Sequence, residues 1–128
     1  MKSHLYHIQI NIDYGNIGFY KSLMEFLGWE VIFEKEGDVI GYHSEHSGDV
    51  WIANADKAGT TDYDAIGVNH VAFRVEQMND IEETGQSLEK QNIPALFETP
   101  RHRPEFAQEG ETYYQIIFES PDKIQFEI

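Results

Sequence analysis

The chain has 128 residues, 41% of them hydrophobic, and a formal charge of −14. That length suits one domain, able to bury roughly two thirds of the surface its unfolded chain exposes. The negative field repels nucleic acid and anionic membranes, and the absence of cysteine removes disulfides and zinc–thiolate sites, so any metal must sit on histidine, carboxylate or water. The opening residues, MKSHLYHIQI, hold no apolar stretch long enough for a signal peptide or a membrane span, and a cytoplasmic protein is the expectation.

Residues 5–12 alternate strictly. Ile8, Ile10 and Ile12 form one face of a strand, and His7, Gln9 and Asn11 form the other. A helix follows in DYGNIGFYKSLMEFLGW, with Ile17, Tyr20, Met24 and Leu27 at helical spacing. Phe19, Leu23 and Phe26 widen its apolar face, and Gly28 supplies the stop. EVIFEK, DVIGYHS and DVWIANA read as three short strands separated by polar turns. Residues 57–66 are polar and patternless, and are read as a linker between modules at about 1–56 and 67–128.

The order then repeats. VNHVAFRV, residues 68–75, is a strand with His70 and Arg74 on one face. Residues 77–91 form a helix with Met78, Ile81, Gly85 and Leu88 on one side, ended by Asn92 and Pro94. ALFE, TYYQIIFE and KIQFEI complete the set of strands. LGWEVIFE overlays QNIPALFE, and His7 then falls within a residue of His70, which points to an internal duplication. The expected fold is therefore α+β, with two tandem βαβββ modules forming a curved mixed sheet in a single domain.

The last strand puts Ile124, Phe126 and Ile128 on one face and Lys123, Gln125 and Glu127 on the other. Three strands thus carry His7, His70 and Glu127 opposite their apolar faces. Two imidazoles and a carboxylate suit a divalent first-row metal with coordination positions left open. Each residue also has a plainer reading: a histidine on a strand is more often exposed or hydrogen-bonded than a ligand, and a penultimate glutamate is usually solvated. His43 and His46 are expected at the surface, and His4 lies near a terminus.

The whole chain resembles the vicinal oxygen chelate superfamily of glyoxalases, extradiol dioxygenases, fosfomycin-resistance thiol transferases and bleomycin-resistance proteins. HIQINID…GFYKSLMEFLG, VNHVAFRV and FESPDKIQFEI carry the resemblance, in that order. It implies that His7, His70 and Glu127 are metal ligands for Zn, Fe, Ni, Co or Mn. Laying DVWIAN over KIQFEI puts Ala53 where glyoxalase I has a fourth ligand, so the implied set is two histidines and one carboxylate. The closing turn departs from the family pattern at Ser120 and Lys123.

Around such a site, Arg74, Gln9 and Asn11 are candidates for substrate binding, and Trp51 either floors a pocket or belongs to the core. The stretch TPRHRPEFAQEGETYY contains the basic cluster Arg101, His102 and Arg103 and returns at Tyr113 and Tyr114. It is a candidate lid at 99–112 that recognises an anion, or a solvated loop. Glu105 and Tyr114 are the candidate general bases, alongside Glu127 as the catalytic carboxylate. The expected protein is a glyoxalase-like metalloenzyme acting on a small oxygen-chelating substrate, of lyase, isomerase, thiol-transferase or dioxygenase type. The rival is a metal-free, bleomycin-resistance-type binder of a cationic drug, for which the acidic charge and Trp51, Tyr113 and Tyr114 are suited. A silent regulatory module is a third reading. The resemblance also implies a homodimer, with His7 meeting His70 and Glu127 either within a chain or across two.

Overall fold

The computed structural model describes residues 1–128, which divide into two compact units, Met1–Gly59 and Thr60–Ile128. The division falls inside the segment read as a linker.

The first unit is a four-stranded sheet with one main helix. Its strands are β1 (His7–Ile12), β2 (Glu30–Lys35), β3 (Val39–His43) and β4 (Asp49–Asn54), in the spatial order β1-β4-β3-β2. β1 and β4 run parallel and the other pairs are antiparallel. The helix α1 (Ile17–Phe26) makes the crossover between β1 and β2. The Asp13 side chain accepts from the Gly15 N–H at 2.9 Å and opens the turn that leads into it. Gly28 closes it at φ +77°, a left-handed conformation that glycine adopts without steric cost.

The alternation read in β1 is present in the structure. Ile10 and Ile12 are buried beside Val50 and Ile52 of β4, and α1 contributes Tyr20, Leu23 and Met24 to the buried set. Each such side chain is worth about 1.5–3 kcal/mol of transfer free energy. Phe26, expected on the same helix face, is 44% exposed. β2 is an edge strand with a register shift between Val31 and Phe33, and all six of its residues are exposed.

The second unit is built from shorter pieces. β5 (Val71–Ala72), β8 (Ile117–Glu119) and β9 (Gln125–Glu127) form a sheet in the order β5-β9-β8, and β6 (Arg101–His102) pairs with β7 (Tyr114–Gln115). The helix α2 (Met78–Lys90) starts with a reciprocal capping box between Gln77 and Asp80 and buries Ile81, Thr84 and Leu88. Met78 lies in its first turn and is 47% exposed, so the apolar stripe begins one turn later than the spacing predicts. The core holds Phe73, Ile116, Ile117, Phe118, Phe126 and Ile128, with Phe126 stacked on both Phe73 and Phe118. No helix is long and apolar enough to cross a membrane.

Three strand expectations need correction here. The 68–75 segment keeps ladder geometry only at Val71–Ala72, extended by the Phe73 N–H bonding to the Glu127 carbonyl at 2.9 Å. Its partner β9 has three residues, which leaves little ladder to share, and His70 stands just before the strand. ALFE reduces to one bridge, Ala95 to Phe118, because Phe97 and Glu98 both take positive φ. TYYQIIFE divides into β7 and β8 at Ile116, which still exchanges two backbone hydrogen bonds of 3.0 Å with Ile128, in register with the β8–β9 ladder. β7 falls within the expected strand TYYQIIFE, whereas its partner β6 lies in the stretch read as a loop.

Candidate metal site

His70 and Glu127 meet in the second unit. The parallel pairing of β5 with β9 sets Ala72 opposite Glu127, so the residue two before Ala72 reaches the same carboxylate. His70 Nε2 stands 3.4 Å from Glu127 Oε2. Glu127 is 6% exposed, far from the solvated end that its place in the chain suggests. Its other oxygen, Oε1, accepts a short hydrogen bond from the Tyr113 hydroxyl. That bond is the main cause that pushes the Tyr113 phenol up to about 12, with burial and the Glu127 charge adding to it. Tyr113 is therefore a proton donor to the carboxylate at any pH near neutrality.

The hydrogen bonds around His70 decide its tautomer. Asn69 Nδ2 donates to the Tyr63 carbonyl at 2.8 Å, which fixes the amide with its oxygen facing His70. Asn69 Oδ1 lies 2.8 Å from His70 Nδ1 and can only accept, so Nδ1 carries the hydrogen. A neutral His70 then presents a bare Nε2 lone pair to a carboxylate oxygen, which is two acceptors facing each other. Only a cation between them, a proton or a metal ion, makes that arrangement favourable. A charge-assisted N–H···O bond draws its atoms to about 2.7–2.9 Å. Nitrogen and oxygen ligands about 2.0–2.2 Å from a tetrahedral zinc ion stand roughly 3.3–3.5 Å apart. At 3.4 Å the His70–Glu127 pair is at ion-pair distance, and the two side chains are placed where both could contribute to a cation site. The donors themselves, imidazole and carboxylate, suit Zn, Mn, Fe, Co or Ni.

His7 lies in the first unit, exposed on β1, in one row with Gln9 and Asn11, which bond to each other at 2.9 Å. No group of three or more His, Asp or Glu side chains gathers in a metal-holding arrangement. What the second unit assembles is a pair. On the sheet face that carries His7, Trp51 lies across Gly41, where an added Cβ would meet its ring at 2.9 Å, and it reaches Phe33 with ring centroids 5.9 Å apart. Ala53 is buried beside Asn11 and offers no ligand atom. His43, expected at the surface, is half-exposed and bonds Asp49 at 2.8 Å.

The other candidates are placed elsewhere. Arg74 pairs with Glu111 at 2.8 Å and its side chain is 79% exposed, the ion-pair reading that its sequence position allows. Arg103 bonds Glu105 at 2.6 Å and stacks over Phe106 at 4.5 Å, while Arg101 lies 3.7 Å from Glu98. Tyr114 alternates away from Tyr113 and donates to Glu82 of α2. The Glu82 acceptor raises the Tyr114 phenol, and the Arg103 guanidinium lowers the Glu105 carboxyl. Both shifts move away from neutrality, the wrong direction for a general base. The partners that sequence reasoning missed are Asn69 and Gln125. Asn69 precedes His70 directly, and Gln125 shares the Glu127 face by alternation, so both were within reach of the pattern.

Comparison with protein-family models matches residues 15–128 to Glyoxalase, the Glyoxalase/Bleomycin resistance protein/Dioxygenase superfamily. No curated protein sequence matches. Among solved structures, a Bacillus halodurans protein provisionally named a glyoxalase is 24% identical with a TM-score of 0.77, covering 97% of this chain and 92% of its own. The fosfomycin resistance protein FosX of Listeria monocytogenes is 22% identical with a TM-score of 0.67, covering 99% and 90%. A mutant of that protein, solved with Mn(II) and 1S,2S-dihydroxypropylphosphonic acid, is 19% identical with a TM-score of 0.66, covering 99% and 89%. These likenesses agree with the α+β architecture of mixed sheets described above. The chain belongs to the Glyoxalase/Bleomycin resistance protein/Dioxygenase superfamily.

Proposed function

We propose that this chain is a glyoxalase-like metalloenzyme acting on a small oxygen-rich substrate, with His70 and Glu127 as two ligands of a divalent ion and His7 as the third. The observation that carries the reading is the 3.4 Å approach of two acceptors, His70 Nε2 and Glu127 Oε2. His7 completes the set from the same chain or from a second copy in a homodimer. The exposed apolar residues Val31, Ile32 and Phe33 on the β2 edge suit contact with such a copy. That a fosfomycin resistance mutant of this fold was solved with Mn(II) supports the use of a divalent ion.

When bound, the ion would act as a Lewis acid toward a substrate oxygen. The chain's own residues supply the rest. Tyr113 holds the Glu127 carboxylate by one oxygen, which leaves the other facing His70. Asn69 holds the His70 proton on Nδ1 and so leaves Nε2 free to ligate. Gln9 and Asn11 offer amide groups beside His7 for a polar substrate. The reaction class spans lyase, isomerase, thiol-transferase and dioxygenase chemistry.

A binder of cationic drugs is the second reading. The formal charge of −14 and the Trp51–Phe33 pair on the sheet face favour it. The two are separated by assaying metal-loaded protein against a panel of thiohemiacetals, epoxy-phosphonates with thiol, and catechols, before and after chelation. Turnover abolished by the chelator and by Glu127→Gln is expected. Inactivity throughout, combined with tight binding of a cationic glycopeptide by metal-free protein, contradicts the enzyme reading.

A further inference from the structure

Residues 60–69 lie outside every strand and helix, yet they hold the partner of His70. Tyr63 is tied to the His70 neighbourhood through its backbone, its carbonyl accepting from Asn69 Nδ2 at 2.8 Å. A turn fixes the chain beside it, with the Asp64 N–H bonding Asp62 Oδ1 at 3.0 Å and the Ala65 N–H bonding the Asp62 carbonyl at 3.2 Å.

From the other side, Gln125 is 4% exposed and sends its Nε2 to Asn69 Oδ1 at 3.4 Å. Asn69 Oδ1 thus faces two donors, Gln125 Nε2 and His70 Nδ1. Its Nδ2 faces only a carbonyl. Reversing the amide would set NH₂ against the Gln125 donor and oxygen against the Tyr63 carbonyl, so these two partners fix the orientation and leave an acceptor facing His70 Nδ1.

We infer that Asn69 is a positioning residue for His70, and that the 60–69 segment is the strap that holds it. The Tyr63 carbonyl orients the Asn69 amide, and the amide keeps the His70 hydrogen on Nδ1. Nε2 is thereby turned, unprotonated, toward Glu127. An outer hydrogen-bond partner of this kind is worth about 10–100-fold in metal affinity. The part of this inference that concerns metal rests on the reading of His70 and Glu127 as ligands. The tautomer does not.

The test uses the full chain and two readouts. The imidazole ¹⁵N signals of metal-free protein, recorded with His70 neutral, report which nitrogen carries the hydrogen. Competition against a chromophoric chelator reports the affinity for Zn²⁺ alone. Wild type is expected to show His70 with Nδ1–H. Asn69→Ala is expected to give a mixture of tautomers and Zn²⁺ binding about 10–100-fold weaker. Asn69→Asp keeps an acceptor at Nδ1 and is expected to restore the Nδ1–H tautomer while losing the bond to the Tyr63 carbonyl. An Asn69→Ala protein with unchanged tautomer and Zn²⁺ affinity within about twofold of wild type would overturn the inference, since outer partners are otherwise worth about 10-fold or more. Wild type that ignores Zn²⁺ while Asn69→Ala still scrambles the tautomer would instead remove the metal reading and leave the positioning role standing.

Discussion

The two units follow one βαβ-type plan and hold it by different means. In the first, β1, β2 and β4 are each six residues long and β3 is five, and the ladder runs without a break except at Val31/Phe33. In the second, no strand exceeds three residues, and Asn92, Phe97, Glu98 and Lys123 all take positive φ. Side chains supply much of the connection instead. Asn69 binds Tyr63 and His70, Gln125 binds Asn69, and Tyr113 binds Glu127. The lesson is about division of labour. A regular ladder presents His7 as a bare exposed residue, while the irregular unit surrounds His70 and Glu127 with hydrogen-bond partners.

The largest effect that bears on this contrast is in the cores. Phe118 is 0% exposed and stacks on Phe126, so Phe118→Ala is expected to cost about 3–5 kcal/mol. Ile52, 1% exposed in β4, is expected to cost about 2–5 kcal/mol as Ile52→Ala. Far-UV circular dichroism in urea would give both. A Phe118→Ala protein as stable as wild type would mean that the second unit relies on its side-chain network and not on its core.

Next in size is Tyr113→Phe. It removes the donor on Glu127 Oε1 and is expected to weaken Zn²⁺ binding by about 10–100-fold, with the fold unchanged. His43→Phe, which breaks a comparable side-chain pair with Asp49 in the first unit, serves as the contrasting variant. If the two change affinity equally, the distinction between the units fails.

In the first unit, Gly41→Ala would set a Cβ 2.9 Å from the Trp51 ring. The ring must leave its place over β3 and its contact with Phe33, at a cost of about 1–3 kcal/mol. Tryptophan emission measures it, with Trp51→Phe identifying the share that comes from Trp29. An unchanged spectrum would show that the ring does not depend on the missing Cβ.

The smallest effects are in phenol titrations. Tyr42, buried in β3, and Tyr113 are both pushed up to about 12, the first chiefly by burial and the second chiefly by its bond to Glu127. A folded pKa above the unfolded value of about 10 means that the native state holds more protons between the two. The stability from each is full below pH 10 and falls as pH rises toward 12. Ultraviolet titration of Glu127→Gln should return Tyr113 toward its ordinary value and leave Tyr42 in place. A shift of both, or of neither, contradicts the assignment of causes.

Much of the first unit was legible in the sequence because long alternating strands and a glycine-ended helix are local signals. EVIFEK is a strand from end to end, and Gly28 stops α1 where its permissive φ predicts. The second unit was less legible for the same reason reversed. The positive φ at Phe97 and Glu98 leaves no trace in side-chain alternation, and the pairing of Ile116 with Ile128 joins residues that no window of neighbours contains. His70 and Glu127 were readable as a pair from alternation and family resemblance. Asn69 and Gln125 were within reach of the same alternation, but Tyr63 was not, because it acts through a backbone carbonyl that any residue could offer.

The most direct test of the account is metal uptake at the His70–Glu127 pair. Untagged protein is incubated with Zn²⁺ or Mn²⁺, freed of excess ion and measured by elemental analysis, with Glu127→Gln and His70→Ala beside it. Near-stoichiometric metal is expected in wild type, with a loss of affinity in each variant beyond the roughly 100-fold that outer partners command. Wild type that retains no metal, or variants that retain as much as wild type, would contradict it.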